Sequence, residues 1–147
     1  MSTRALILKD TDKGLYGIYL HNDGYPYEIK DYLVNTYNTP ELVDKLISGG
    51  SMSVIGNKIN PDSSRLHSFN KPQPDVCIYY TRDRGEEWEQ NKPEYYLFDE
   101  LREYNSVDYY YVYGKDNVWY YLSKAELDFI DDDYFLRKLC DLEDLPF

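Results

Sequence analysis

At 147 residues the chain suits one domain, long enough to bury a core without disulfide or metal staples. Its 27 acidic against 16 basic residues give a net charge of −11, which disfavours direct binding to DNA, RNA or an anionic membrane and favours a basic partner. No window holds the roughly 18 uninterrupted apolar residues of a membrane span, no secretory signal opens the chain, and Cys77 and Cys140 match no zinc or redox spacing, so the expectation is a cytosolic protein with reduced thiols.

Residues 4–9 read as a strand, residues 10–14 (Asp-Thr-Asp-Lys-Gly) as a turn, and residues 15–20 as the returning strand of a hairpin. A polar loop at 21–26 follows. Ile29, Tyr32, Leu33 and Tyr37 then recur at helical spacing. Thr39 is placed to cap a second helix with Pro40 at its first position. Leu42, Val43, Leu46 and Ile47 give that helix an apolar face, and Gly49-Gly50 ends it. Residues 56–74 are a long irregular loop, of the kind that is functional or mobile.

A short apolar strand is expected over 76–80, then a charged turn at 81–85. Leu97, Phe98 and Leu101 suggest a short helix within 93–104. Residues 109–113 and 118–122, joined by Gly114-Lys115-Asp116-Asn117, form the clearest hairpin. Ser123 and Glu126 have capping-box spacing for a last helix, whose inner face is Leu127, Ile130 and Tyr134. The order β-β-α-α-β-α-β-β-α predicts a single α+β domain over residues 1–147. In it an antiparallel sheet of about five strands carries helices mainly on one face, and the C-terminal helix and tail are acidic.

Two features bear on function. Residues 99–147 hold 13 acidic and 5 basic side chains, so the final third carries −8 of the net −11. The 18 tyrosines suit half-buried strand faces and protein interfaces alike.

Gly17-Ile18-Tyr19-Leu20-His21-Asn22-Asp23-Gly24-Tyr25-Pro26, then Thr39-Pro40-Glu41-Leu42-Val43 and Ser48 to Gly56, resembles a family of small proteins of bacteriophages and mobile elements. That family carries a "GIYxHxDGYP" block followed by a helix and a "PEKVxxLIxxGDxSxLG" block. Cys77 to Glu86 is similar to its second signature, "xxAYHRDRGE". The matched blocks span about half the chain in order. The resemblance implies an accessory protein acting in the bacterial host cytoplasm. Two positions depart from the pattern: Asn22 stands where the family has an aromatic, and Thr81 where it has a histidine.

Three clusters are candidate sites. His21 and Asp23 could form an acid–base or metal pair, with His67 as a third member, yet zinc takes four ligands or three plus water. Turn chemistry alone also accounts for these residue types. Arg82, Asp83 and Arg84, with Trp88 nearby, could hold a nucleotide or an acidic partner loop, but a self-contained Arg–Asp network holding the loops is the favoured reading. Asp128, Asp131, Asp132, Asp133, Asp141, Glu143 and Asp144 could imitate a row of phosphates, with Asp108, Asp116, Glu100 and Glu103 upstream.

No nucleophile elbow or metal motif is visible. The expectation is a non-enzymatic binding protein without cofactor. It would set Asp128, Asp131, Asp132 and Asp133 against a basic host protein such as a CRISPR effector or restriction component, with Tyr109, Tyr111 and Tyr113 as anchors. The alternative is a small-ligand or nucleotide-binding protein or enzyme using His21, Asp23, Arg82 and Arg84. Oligomerisation through the 109–122 hairpin is a third possibility.

Overall fold

A computed structural model describes residues 2–104, 106–128 and 136–142. The opening hairpin forms as expected: β1 (Ala5–Thr11) and β2 (Gly14–Leu20) pair antiparallel, with Thr11 opposite Gly14. Ala5 and Ile7 enter one apolar cluster, Leu6 and Leu8 another, and all four are fully buried. A strand covered on both faces reads as a continuous apolar run rather than an alternating one, which is what Ala-Leu-Ile-Leu is.

The chain then turns into α1 (Pro26–Asp31), which continues as a π-helical turn over Tyr32–Thr36. That wider turn lets Ile29, Leu33 and Tyr37 all point inward. Next comes α2 (Pro40–Ser48), capped by the Thr39 hydroxyl on the Leu42 amide at 3.2 Å. β3 (Met52–Val54) and β4 (Ile78–Tyr79) pair with each other, and β3 joins β2 in parallel through Leu20 and Met52. The charged turn expected at 81–85 is a one-turn helix, α3 (Tyr80–Arg84), ended by Gly85 in the left-handed region.

The stretch 93–104 is strand and helix in succession. β5 (Glu94–Tyr96) pairs antiparallel with the first half of β2, and α4 (Phe98–Glu103) follows, its Glu100 carboxylate accepting from the Leu97 amide. β6 (Tyr109–Tyr113) and β7 (Trp119–Ser123) form the expected second hairpin. The Ser123–Glu126 capping box then starts α5 (Lys124–Asp128), and β8 (Arg137–Lys138) pairs with β7. The positions of Ile130, Tyr134 and the acidic tail from Glu143 onward lie outside the described residues.

The sheet is larger than the five strands expected. Among the described residues it has eight, in the order β4-β3-β2-β1-β6-β7-β8 with β5 also on β2. It is mostly antiparallel, but β1–β6 and β2–β3 run parallel. The expectation of helices mainly on one face is corrected too. α1, the π turn and α2 cover the Ala5 and Ile7 side, while Leu101 of α4 and Leu127 of α5 cover the Leu6 and Leu8 side.

The layers are tied by buried tyrosines. The Tyr111 hydroxyl donates to the Gly24 carbonyl, Tyr113 to Asn38, Tyr79 to Leu46 near the end of α2, and Tyr110 to Leu101 and Tyr104 at the end of α4. Tyr37 does the same for Gly56, and the Trp119 indole donates to the Tyr37 carbonyl at 2.7 Å. Burial pushes the Tyr37, Tyr79, Tyr110 and Tyr111 phenols well above their ordinary range, so they remain protonated donors.

Tyr111→Phe should lower the unfolding free energy by about 1–2 kcal/mol in urea denaturation, because it leaves the Gly24 carbonyl without its donor. Gly17→Ala should destabilise more, by at least about 2 kcal/mol. A methyl there would stand 1.8 Å from the Ile7 carbonyl oxygen of the neighbouring strand. Near-native thermal melting of either variant would contradict these assignments.

Candidate functional site

The 21–26 loop is a structural corner. The His21 and Asn22 amides donate to the Met52 and Ser53 carbonyls at 3.0 Å, and the Asn22 side chain also donates to Ser53. Asn22 thus straps the loop to β3 through polar contacts. Asp23 is exposed with φ near +61°, a conformation its short polar side chain tolerates. The Gly24 amide donates to the Thr3 carbonyl at 2.9 Å. Pro26 opens α1 at a position where a missing N–H costs nothing.

Among the described residues no hydrogen bond or ion pair joins His21 to Asp23. His21 instead contacts the Tyr19 hydroxyl through Nδ1 at 2.8 Å. Partial burial, and next the neighbouring Asp23 carboxylate, push the Glu28 carboxyl up.

Arg82, Asp83 and His67 form a different cluster. The Arg82 guanidinium donates to the Asp83 carboxylate (2.8 and 3.0 Å), the Ile59 carbonyl (2.7 Å) and the Cys77 carbonyl (2.7 Å), and lies over the Tyr79 ring. Asp83 also accepts from the Tyr79 amide at 2.8 Å. His67 Nε2 lies 3.3 Å from that carboxylate, with the two side chains only 5% and 4% exposed. His67 Nδ1 accepts from the Gln73 amide, which places the ring proton on Nε2, facing Asp83.

Arg84 covers the Phe69 ring. The long loop is therefore clamped onto α3 by one arginine that makes four hydrogen bonds to protein. The network expected from the sequence holds the loops, and the observed Arg82–Asp83 bonds reach Ile59, Cys77 and His67 with no hydrogen bond or ion pair to the 21–26 loop among the described residues. Burial pushes the Asp83 carboxyl up, but the Arg82 bonds and the Tyr79 amide outweigh it, and the net shift is downward.

Two of the four residues of the ligand-site alternative, His21 and Arg84, line separate hollows. Asp83 and Arg84 line a hollow with Ser68, Phe69 and Asn70. His21 lines a separate polar groove of about 460 Å³ at the ends of β1 and β2, together with Arg4, Tyr19, Tyr80 and Tyr104. Asp23 lines neither of these. Nothing in the sequence signalled Arg4, Tyr80 and Tyr104 as a group. Arg4 could be placed only by knowing that it flanks His21 across the β1–β2 ladder.

The acidic surface is distributed differently from the expectation. Asp128 pairs with Lys124 at 3.1 Å, while Asp131, Asp132 and Asp133 lie outside the described residues. Tyr111 and Tyr113 are 0% and 1% exposed and spend their hydroxyls on loop carbonyls, and Tyr109 is half-buried against Tyr25 and Tyr111. The first two are core residues with no ring face for a partner.

Large exposed rings and side chains gather elsewhere. Trp88 is 43%, Tyr95 50% and Leu97 62% exposed, all within one stretch that also exposes Glu87, Glu89, Glu94, Asp99 and Glu103. That stretch includes β5, whose side away from β2 carries no strand among the described residues.

Among the described residues no group of three or more His, Cys, Asp or Glu is placed to hold a metal, and no helix is long and apolar enough to cross a membrane. Compared with protein-family models, curated proteins and solved structures, the chain matches none.

Asp83→Asn should destabilise the protein by about 3 kcal/mol in denaturant titrations, since it strips the charge that Arg82 and His67 face. Because the folded carboxyl titrates below its ordinary value of 3.8, its contribution is full above that value and fades as pH falls through the lower folded value. Acid unfolding of Asp83→Asn should lack this component. Identical acid transitions in the two proteins would show that the clamp carries no load.

Proposed function

We propose that the protein is a non-catalytic accessory protein of phage or mobile-element type. It docks an acidic, aromatic-bearing surface on a basic host defence protein and occludes that protein's nucleic-acid groove. The observation that carries the reading is the coincidence of Trp88, Tyr95 and Leu97 with Glu87, Glu89, Glu94, Asp99 and Glu103 on one stretch.

Carboxylates spaced along a surface steer a basic partner and pair with its phosphate-binding side chains. Exposed Trp and Tyr add affinity that salt does not screen, and they are the residue types that dominate interface energetics. The net charge of −11 supports the same polarity, as does the resemblance of the Gly17–Pro26 and Cys77–Glu86 blocks to phage proteins. On this reading the anchors are Trp88 and Tyr95 rather than the buried Tyr111 and Tyr113. Asp128, Asp131, Asp132 and Asp133 contribute charge. A CRISPR effector complex or a restriction enzyme is the fitting partner class, and the site of action is the bacterial host cytoplasm.

Binding of the purified protein to purified effector and restriction complexes should weaken at least about tenfold between about 50 and about 500 mM salt. Trp88→Ala and Glu94→Lys should each weaken it further at fixed salt. So should joint replacement of Asp131, Asp132 and Asp133 by Asn. Binding indifferent to salt and to all of these changes would overturn the electrostatic docking. Loss of inhibition without loss of binding would overturn occlusion of the groove.

A further inference from the structure

We infer that the polar groove at the ends of β1 and β2 is a binding site for a small phosphate-bearing ligand of the nucleoside monophosphate class, independent of the acidic docking surface. The first argument is charge. Acidic side chains outnumber basic ones 27 to 16, yet the Arg4 guanidinium has no carboxylate partner among the described residues. The two carboxylates nearby are already engaged. Asp108 accepts from the Arg4 main-chain amide at 3.2 Å, and Glu86 faces Arg84 at 3.7 Å. The groove therefore holds an exposed arginine with no ion pair of its own among the described residues, beside a Glu86 carboxylate that faces Arg84.

The second argument is donor geometry. Arg4 is joined in the groove wall by His21, by the phenols of Tyr19, Tyr80 and Tyr104, and by the Ser51 hydroxyl. The Arg4 charge is felt at the Tyr19 hydroxyl, which in turn meets His21 Nδ1 at 2.8 Å, and His21 Nε2 has no partner among the described residues. Burial pushes the Tyr19 and Tyr104 phenols up, so both stay protonated. Arg4, Ser51, Tyr80 and Tyr104 line the groove from four different segments, and several donor-bearing side chains around one hollow suit the three free oxygens of a phosphate monoester better than a flat carboxylate.

The remaining wall suits a base. Tyr80 and Tyr104, held by ring contacts with Phe69 and Tyr96, bring aromatic surface to the wall, the Gln90 amide both donates and accepts, and Glu86 accepts. The volume of about 460 Å³ falls in the range of small-ligand sites. A free mononucleotide is favoured over a strand of nucleic acid, because a polyanion would meet the net charge of −11 along its whole length.

The test is calorimetric titration of the full chain with the common nucleoside 5′-monophosphates, the parent nucleosides, inorganic phosphate, and a 5′-phosphorylated oligonucleotide. The site requires that at least one monophosphate bind with one-to-one stoichiometry, at least about tenfold tighter than its nucleoside or phosphate alone. Arg4→Gln and His21→Gln should each weaken it about tenfold or more, with unchanged circular dichroism. Should Arg4→Gln fail to fold, His21→Gln decides.

Absence of binding by any monophosphate at millimolar concentration would overturn the assignment. So would affinity unchanged by the substitutions, phosphate binding as tightly as the nucleotide, or the oligonucleotide binding more tightly than any monophosphate. Defence-protein binding is read separately through Trp88→Ala and Glu94→Lys, which lie outside this groove, so each proposal can fail without the other.

Discussion

The fold depends on hydroxyl-to-carbonyl bonds that reach from the sheet into the ends of helices and loops. Short helices and tight corners leave carbonyls without intrahelical donors, and burying such groups unpaired costs about 1–3 kcal/mol each. Here the missing donors are tyrosine hydroxyls and one tryptophan indole. Tyr110 serves the end of α4, Tyr79 serves α2, and Tyr111 and Tyr113 serve the corners before α1 and α2. A phenol is long enough to cross from one layer to the next, apolar along its length, and polar only at the tip. That accounts for much of an aromatic content dominated by 18 tyrosines, and for helices as short as five or six residues holding their places.

These ties decide where the functional surfaces fall. Tyr111 holds Gly24, and Gly24 holds Thr3, so the chain leading into Arg4 and the corner leaving His21 are fixed side by side. The groove of Arg4, His21 and the three phenols is the outcome. On the other side of α3 the Arg82–Asp83–His67 clamp closes the 56–75 loop and consumes charged groups that, read along the chain, resemble a ligand site. An arginine that spends four hydrogen bonds on backbone carbonyls and a buried carboxylate stiffens a loop.

The acidic surface follows a simpler logic. Between α3 and α4 the chain runs along the sheet margin with few inward positions, so Trp88, Tyr95 and Leu97 are left on the outside among carboxylates. Charge along an edge strand also discourages uncontrolled pairing with another sheet. The polar groove meets this acidic edge at Glu86, Gln90 and Asn91, while Trp88 and Glu94 lie outside its wall.

Local chemistry determined much that the sequence alone could show. The two hairpins, the Thr39-Pro40 start of α2, the Ser123–Glu126 capping box and the Arg–Asp network all rest on residues close in the chain, where turn, cap and charge preferences act without help from the rest. Tertiary structure alone decided the parallel seam between β1 and β6, about a hundred residues apart, and the second buried face that follows from it. It also decided that Tyr111 and Tyr113 lie in the core, that His67 meets Asp83 rather than His21, and that Arg4 opens into a groove. The physical reason is the two-residue period of a strand. It says that alternate side chains face opposite ways, but not what waits on either side, and only the assembled layers supply that.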